Sequence, residues 1–255
     1  MVSNNQNPAQ NEWEPFLFGD RARILDIRYD PVFKAVFTRD TPTSRAALSD
    51  LISTFIKRNV AVETIVVKEP RTEFPMHKNY RYDITCKTEE GTLINVELAF
   101  HDIDQDLVMA EYFVSKLFIG DDTQDINEFL DNVKDTYQIS IIDQKLYYPD
   151  KSLTHTFQLC DAKTKISLNG NIRIITLELE KTDTIIDKPV EEMTKTERWA
   201  AYFQYLTDES KREKIMEIIN REKGIAMATK TLCQIKANDE EYARLNSFMK
   251  CEFES

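Results

Sequence analysis

Two carboxylates carry the chemistry of this sequence: Asp83 in Tyr82-Asp83-Ile84 and Glu97 in Asn95-Val96-Glu97-Leu98-Ala99. Each lies in a run that alternates apolar and polar residues, the pattern of a half-buried strand. Tyr82, Ile84 and Cys86 share one face of the first run, and Asp83, Thr85 and Lys87 share the other. Val96, Leu98 and Phe100 share one face of the second, and Asn95, Glu97 and Ala99 the other. Glu89-Glu90-Gly91-Thr92 between them is a turn signal. The spacing therefore predicts a hairpin with both acids on the face opposite the apolar one. Two such carboxylates suit a hard divalent cation. Mg2+, or Mn2+ in its place, takes a few carboxylate oxygens and leaves room for water and phosphate. The backbone carbonyl of Leu98, one step past Glu97, is a further hard oxygen ligand. A cation held there activates water and neutralises the charge that grows on a scissile phosphate.

Other elements must position that hairpin. Asp30 to Phe37 reads as a short helix, with Asp30 as N-cap and Pro31 in its first turn. A second helix is expected from Thr43 to Lys57, with Leu48, Leu51, Ile52, Phe55 and Ile56 as its apolar stripe. Val62 to Lys68 is short and β-branched. After the hairpin, Asp102 or Asp104 is expected to cap a helix whose stripe is Leu107, Ala110, Val114, Leu117 and Phe118, stopped by Gly120. Strand-like runs follow at Tyr137–Tyr147, His155–Cys160 and Ile172–Leu179. Helical patterns then cover Val190–Leu206, Ser210–Glu222, Ile225–Gln234 and Asp239–Phe248. We expect a disordered leader over 1–14, an α/β core over 15–185 and a helical C-terminal part over 186–255.

Composition sets limits. A chain of 255 residues with 42% hydrophobic side chains can bury a sizeable core. Its net charge of −11 argues against tight non-specific DNA binding, which draws on clustered Lys and Arg. The four cysteines (Cys86, Cys160, Cys233 and Cys251) form no CxxC pair, so a structural zinc site is not expected. They read as buried structural thiols of a reducing cytoplasm. No run is long and apolar enough to span a bilayer, and no membrane partner is expected. His77, His101 and His155 are dispersed, and no nucleophile elbow occurs.

The ordered series of motifs resembles the PD-(D/E)XK nuclease family transposases, the recombination-promoting nuclease group. The resemblance runs from about residue 26 to 250. Asp30, Phe33, Lys34 and Phe37 match the opening helix, and Asp83, Gly91, Val96, Glu97 and Leu98 match the two site strands with their turn. Tyr112, Phe113, Ser115, Lys116 and Leu117 match the next helix. Phe157, Leu159 and Asp161, then Glu178, Leu179 and Lys181, then Trp199 match later elements. The resemblance implies a restriction-endonuclease-like core, a mixed central sheet flanked by helices, acting on double-stranded DNA with a divalent metal.

Two departures bear on that implication. The family's Gln or Lys after the Glu falls on Ala99, and an Arg on the following helix falls on Met109. Neither residue can orient water or hold a phosphate. In this superfamily the lysine can migrate to a neighbouring element, which makes Lys87 and Lys116 the candidates, with Lys116 assigned to the site beside Asp83 and Glu97. Two readings remain: a Mg2+-dependent DNA endonuclease, or a nuclease-fold binding or assembly module without activity. The module reading expects an apolar patch for a partner, on the C-terminal helices; a homo-oligomer fits either. Lys34 is expected to pair with a surface carboxylate, and Tyr112, Phe113 and Trp199 are expected to pack rather than to touch a ligand.

Overall fold

The computed structural model describes residue 17 and residues 25–66, 84–99, 103–120, 126–143 and 149–253. Contacts divide the chain into two compact units, residues 1–51 with 185–255, and residues 52–184.

The second unit is built on a six-stranded sheet. Its strands are β1 (Val62–Val66), β2 (Ile84–Thr88), β3 (Leu93–Ala99), β4 (Thr136–Ile142), β5 (Thr154–Gln158) and β6 (Ile172–Glu178), in the order β1-β2-β3-β4-β6-β5. β1, β2 and β3 run antiparallel as a meander, β3, β4 and β6 run parallel, and β5 returns antiparallel along β6. The expected hairpin is therefore present: Ile84 faces Val96 and Thr85 faces Asn95. Gly91 makes its turn possible with φ +86, a left-handed conformation that costs glycine little. Every residue of β4 is buried, as a strand inside a parallel sheet must be.

Helix α3 (Ile103–Ile119) joins β3 to β4 and packs against β3, β4 and β6. Ala110, Phe113 and Val114 are buried on it, and Gly120 ends it by donating to the Lys116 carbonyl. The cap expected at Asp102 falls outside the described residues, and Asp104, the alternative, is the second residue of α3 rather than its cap. A short helix α4 (Ile126–Asn132), which the sequence reading left out, follows. A 3-10 turn over Leu179–Thr184 closes the unit.

The first unit is helical. Helix α1 (Asp30–Phe37) meets the C-terminal helices α5 (Lys195–Tyr205), α7 (Lys223–Ala237) and α8 (Asp239–Phe253), and α6 (Arg212–Arg221) packs on α5 and α7. The division in sequence, between Leu51 and Ile52, falls within helix α2 (Pro42–Ile56). The core is aromatic. Phe33 and Phe37 lie 4.9 Å apart, Phe37 and Trp199 6.2 Å, and Trp199 stacks on Phe203 at 5.6 Å. Trp199 is fully buried, as expected of a packing residue, and its indole N–H donates to Asp50 at 3.1 Å. Lys195 holds the other Asp50 oxygen at 2.6 Å. Gly224 lies so close to Asp50 that a Cβ would fall 2.2 Å from its carboxyl carbon, so only glycine fits there.

Three expectations need correction. Asp30 is the first residue of α1 and not its cap; Tyr29 takes the cap position and no side chain caps it. The Asp30 carboxylate is drawn one turn on, to Lys34 at 2.8 Å, which is the surface pair expected of that lysine. Tyr112 packs its ring edge-on against Phe113 at 5.7 Å but stays half exposed, because the helical period turns it away from the stripe that buries Phe113. Cys160 is exposed as well, past the end of β5, whereas Cys86 and Cys233 are buried.

Candidate active site

Strand register decides what surrounds Glu97. In the parallel pair β3–β4, Asn95 faces Gln138 and Glu97 faces Ser140. Successive side chains alternate faces, so these four share one side of the sheet with Thr85 of β2. They form a continuous hydrogen-bonded chain. The Thr85 hydroxyl donates to Asn95 Oδ1 at 3.1 Å, and Asn95 Nδ2 donates to Gln138 Oε1 at 2.8 Å. Gln138 Nε2 then donates to Glu97 Oε2 at 2.9 Å and to Ser140 Oγ at 3.2 Å. Asn95 and Gln138 are 0% exposed, and Thr85 and Ser140 nearly so. Glu97 is half-buried at the end of this chain.

The polar face of the hairpin is thus an interior face and not a solvated one. A buried amide must find partners or lose on the order of 1–3 kcal/mol, and here each finds one on the next strand. The sequence reading missed Gln138 and Ser140. Their signal was present: a buried parallel strand reads as a near-continuous apolar run, and Gln and Ser within Thr136–Ile142 break it twice.

Leu98 is buried beside Glu97, its β4 partner being Ile141. Ala99 is also buried, opposite Ile142, so its position gives the site a methyl group and no polar atom. Lys116 lies half-buried in the last turn of α3, the helix that packs on the strands bearing Glu97 and Gln138. Lys87 is exposed on β2. Asp83 lies outside the described residues, one position before β2 begins.

The oxygens at Glu97 are those of its own carboxylate and of the Ser140 hydroxyl, hard donors that suit a hard cation, while Gln138 turns its N–H groups to this point and its oxygen to Asn95. Among the described residues no group of three or more His, Cys, Asp and Glu side chains converges on one point. Of the described residues, Glu97 and the Leu98 carbonyl could hold such a cation.

The same face carries a second polar group. The row from Glu97 and Ser140 continues to Thr176 of β6 and His155 of β5. His155 Nε2 meets Asp150 at 2.8 Å, and its Nδ1 lies 3.3 Å from Glu178 Oε1. Lys181 Nζ donates to that Glu178 oxygen at 2.8 Å and to the Ser152 carbonyl at 3.1 Å. Glu178 and Lys181, matched by sequence to a strand end, are therefore a buried ion pair. Glu180 beside them is held above the usual carboxylate range, first by burial and then by the charges of Asp143, Asp183 and Glu178.

A mixed sheet flanked by helices, with a carboxylate-bearing strand next to a Gly turn, is consistent with a PD-(D/E)XK nuclease-like α/β fold. The chain belongs to the PD-(D/E)XK nuclease family transposases, whose family description matches residues 27–255. No curated protein and no solved structure matches it.

Proposed function

We propose that this protein cuts double-stranded DNA by hydrolysing phosphodiester bonds with Mg2+ or Mn2+ held by Asp83, Glu97 and the Leu98 carbonyl. The observation that carries this reading is the Glu97 carboxylate, kept half-buried at the end of an interior chain of amides and hydroxyls. Burying polar groups in a sheet core is costly, and an apolar set would pack there more cheaply. A divalent cation, when bound, supplies an activated water and a positive charge against the phosphate. Glu97 and Asp83 place negative oxygens where that charge is needed. Lys116, reaching from α3, steadies the non-bridging phosphate oxygens in place of the side chain missing at Ala99. We place the activity in the cytoplasm, on the strength of four cysteines dispersed along the chain with no CxxC spacing; no helix among the described residues is long and apolar enough to cross a membrane. A homo-oligomer would bring two such sites to the two strands of a duplex.

The test is nicking of supercoiled plasmid with Mg2+ or Mn2+, with wild type beside Asp83→Ala, Glu97→Ala and Lys116→Ala. Nicking that both carboxylate substitutions abolish supports the nuclease. Absence of cleavage, or cleavage indifferent to both, overturns it. If one positioned cation is needed, Lys116→Ala should cost on the order of 10²–10³ in rate.

A second reading, a nuclease-fold binding module without activity, rests on two observations. Ala99 is packed where the family places Gln or Lys. A strip of large apolar side chains, Phe157, Leu159, Ile166 and Leu168, is exposed along β5 and the turn after it, Leu168 at 80%. Exposed strips of this kind mark partner surfaces. In that case the protein would retain a partner and release no nicked product.

A further inference from the structure

We infer that Gln138 is a positioning residue for Glu97: an amide delivered from β4 that fixes the carboxylate for its metal. The inference rests on the metal-site reading above and goes further by naming what holds the ligand in place. Ala99, where the family places Gln or Lys, has no side-chain group that could hydrogen-bond to Glu97. A hydrogen bond comes from the adjacent strand, where Gln138 Nε2 donates to Glu97 Oε2 at 2.9 Å.

The direction of that amide is set by its neighbours. A glutamine amide rotated by a half turn would present its oxygen to Glu97, and two acceptors would face one another. Asn95 prevents this, because its Nδ2 donates at 2.8 Å to Gln138 Oε1 and so requires the oxygen to lie on the Asn95 side. The polarity is set at the other end, by the ionised Glu97 carboxylate, which can only accept; the Thr85 hydroxyl, able to donate or accept, follows it and donates to Asn95 Oδ1 at 3.1 Å. Ser140 Oγ accepts the second Gln138 N–H at 3.2 Å. Both N–H groups and the carbonyl of Gln138 are thus engaged, and its side chain is fully buried. A relay of fixed polarity runs from β2 through β3 and β4 back to the β3 carboxylate.

Such a relay has a consequence that packing alone would not have. A ligand carboxylate locked by an outer hydrogen bond binds metal more tightly than one free to rotate, and loss of the outer partner costs about 10- to 100-fold in metal affinity. Gln138 sits beneath Glu97 on the side away from Ala99, since Asn95 and not Ala99 is its register partner. It therefore orients the carboxylate without occupying the position from which the family's missing side chain would reach the phosphate.

The test titrates Mn2+ alone into the full chain, followed by the loss of the free-ion electron paramagnetic resonance signal. Wild type is compared with Glu97→Gln, Gln138→Met and Gln138→Asn. Met keeps the volume of Gln and removes its donors. Asn keeps an amide but is one methylene too short to reach. Folding of each variant is checked by circular dichroism, and affinity is read at a temperature where the variant is fully folded. The expected result is loss of the site in Glu97→Gln and affinity about tenfold weaker in both Gln138 variants. If Glu97→Gln abolishes binding while both folded Gln138 variants bind Mn2+ as wild type does, Gln138 only packs and this inference is wrong, though the metal site stands. If Glu97→Gln leaves Mn2+ binding unchanged, or wild type shows no saturable binding, the metal-site reading fails and the role of Gln138 fails with it.

Discussion

Replacing Lys181 by Met should destabilise the sheet unit by about 3 kcal/mol. Glu178 is 0% exposed and Lys181 only 4%, and their charged atoms lie 2.8 Å apart. Removing one partner of a buried ion pair costs roughly 3–5 kcal/mol, because the other charge stays behind without compensation. His155 Nδ1, 3.3 Å from the same Glu178 oxygen, offsets part of that loss when the ring is protonated, so the lower end of the range applies. At roughly 3 °C per kcal/mol for a unit of this size, the unfolding midpoint should fall by about 10 °C. The assay is thermal and urea unfolding followed by circular dichroism, reading the transition of residues 52–184 if the two units unfold separately. The double variant Glu178→Leu with Lys181→Met is the control. Apolar side chains of similar volume remove both charges together, which is often close to neutral, so it should return to within about 1 kcal/mol of wild type. A single-variant loss below about 1 kcal/mol, or a double variant no better than the single, would refute the claim that this pair is desolvated and mutually dependent.

Thr194→Ala should cost about 1 kcal/mol in the helical unit, because Thr194 and Glu197 form a reciprocal capping box at the start of α5; Thr194→Ser should restore most of it in urea melts. Asp150 is held down to about 2 by its hydrogen bonds from His155 and the Ser152 amide. A carboxylate lowered on folding contributes stability that is present above its unfolded value near 3.8 and lost as pH falls towards 2. Urea midpoints should therefore drop over that window, and Asp150→Asn should flatten the drop; an unchanged slope would count against the His155 contact.

Much of the architecture was legible in the sequence, for a local reason. Period-2 alternation in Leu93–Ala99 and the Gly91 turn specify a hairpin whatever surrounds them, and Asp30–Phe37 declares its helix through Pro31 and its aromatic spacing. The separation of Glu97 from the apolar residues of its strand follows from the same alternation. The family resemblance was carried by an ordered series of short motifs, which also survives as sequence alone. The isolated helix Ile126–Asn132 was not legible, since seven residues carry too few periods to be told from a loop.

What tertiary structure decided is everything that depends on which strand lies next to which. Alternation says that Asn95 and Glu97 share a face, but not that the face is buried. Gln138 lies 41 residues from Glu97 along the chain, and only the parallel register of β3 with β4 brings its amide to the carboxylate. Glu178 and Lys181 look like a strand end in sequence and become a buried pair because β5 returns along β6 and encloses them with His155. Trp199 declares itself a core residue through its helix, yet its partners Phe37 and Asp50 come from the other end of the chain. Local patterning sets the direction in which a side chain points, because that follows from the backbone of a few residues. Which groups meet across strands and helices is fixed by long-range pairing, and the polar chain that ends on Glu97 exists only at that level.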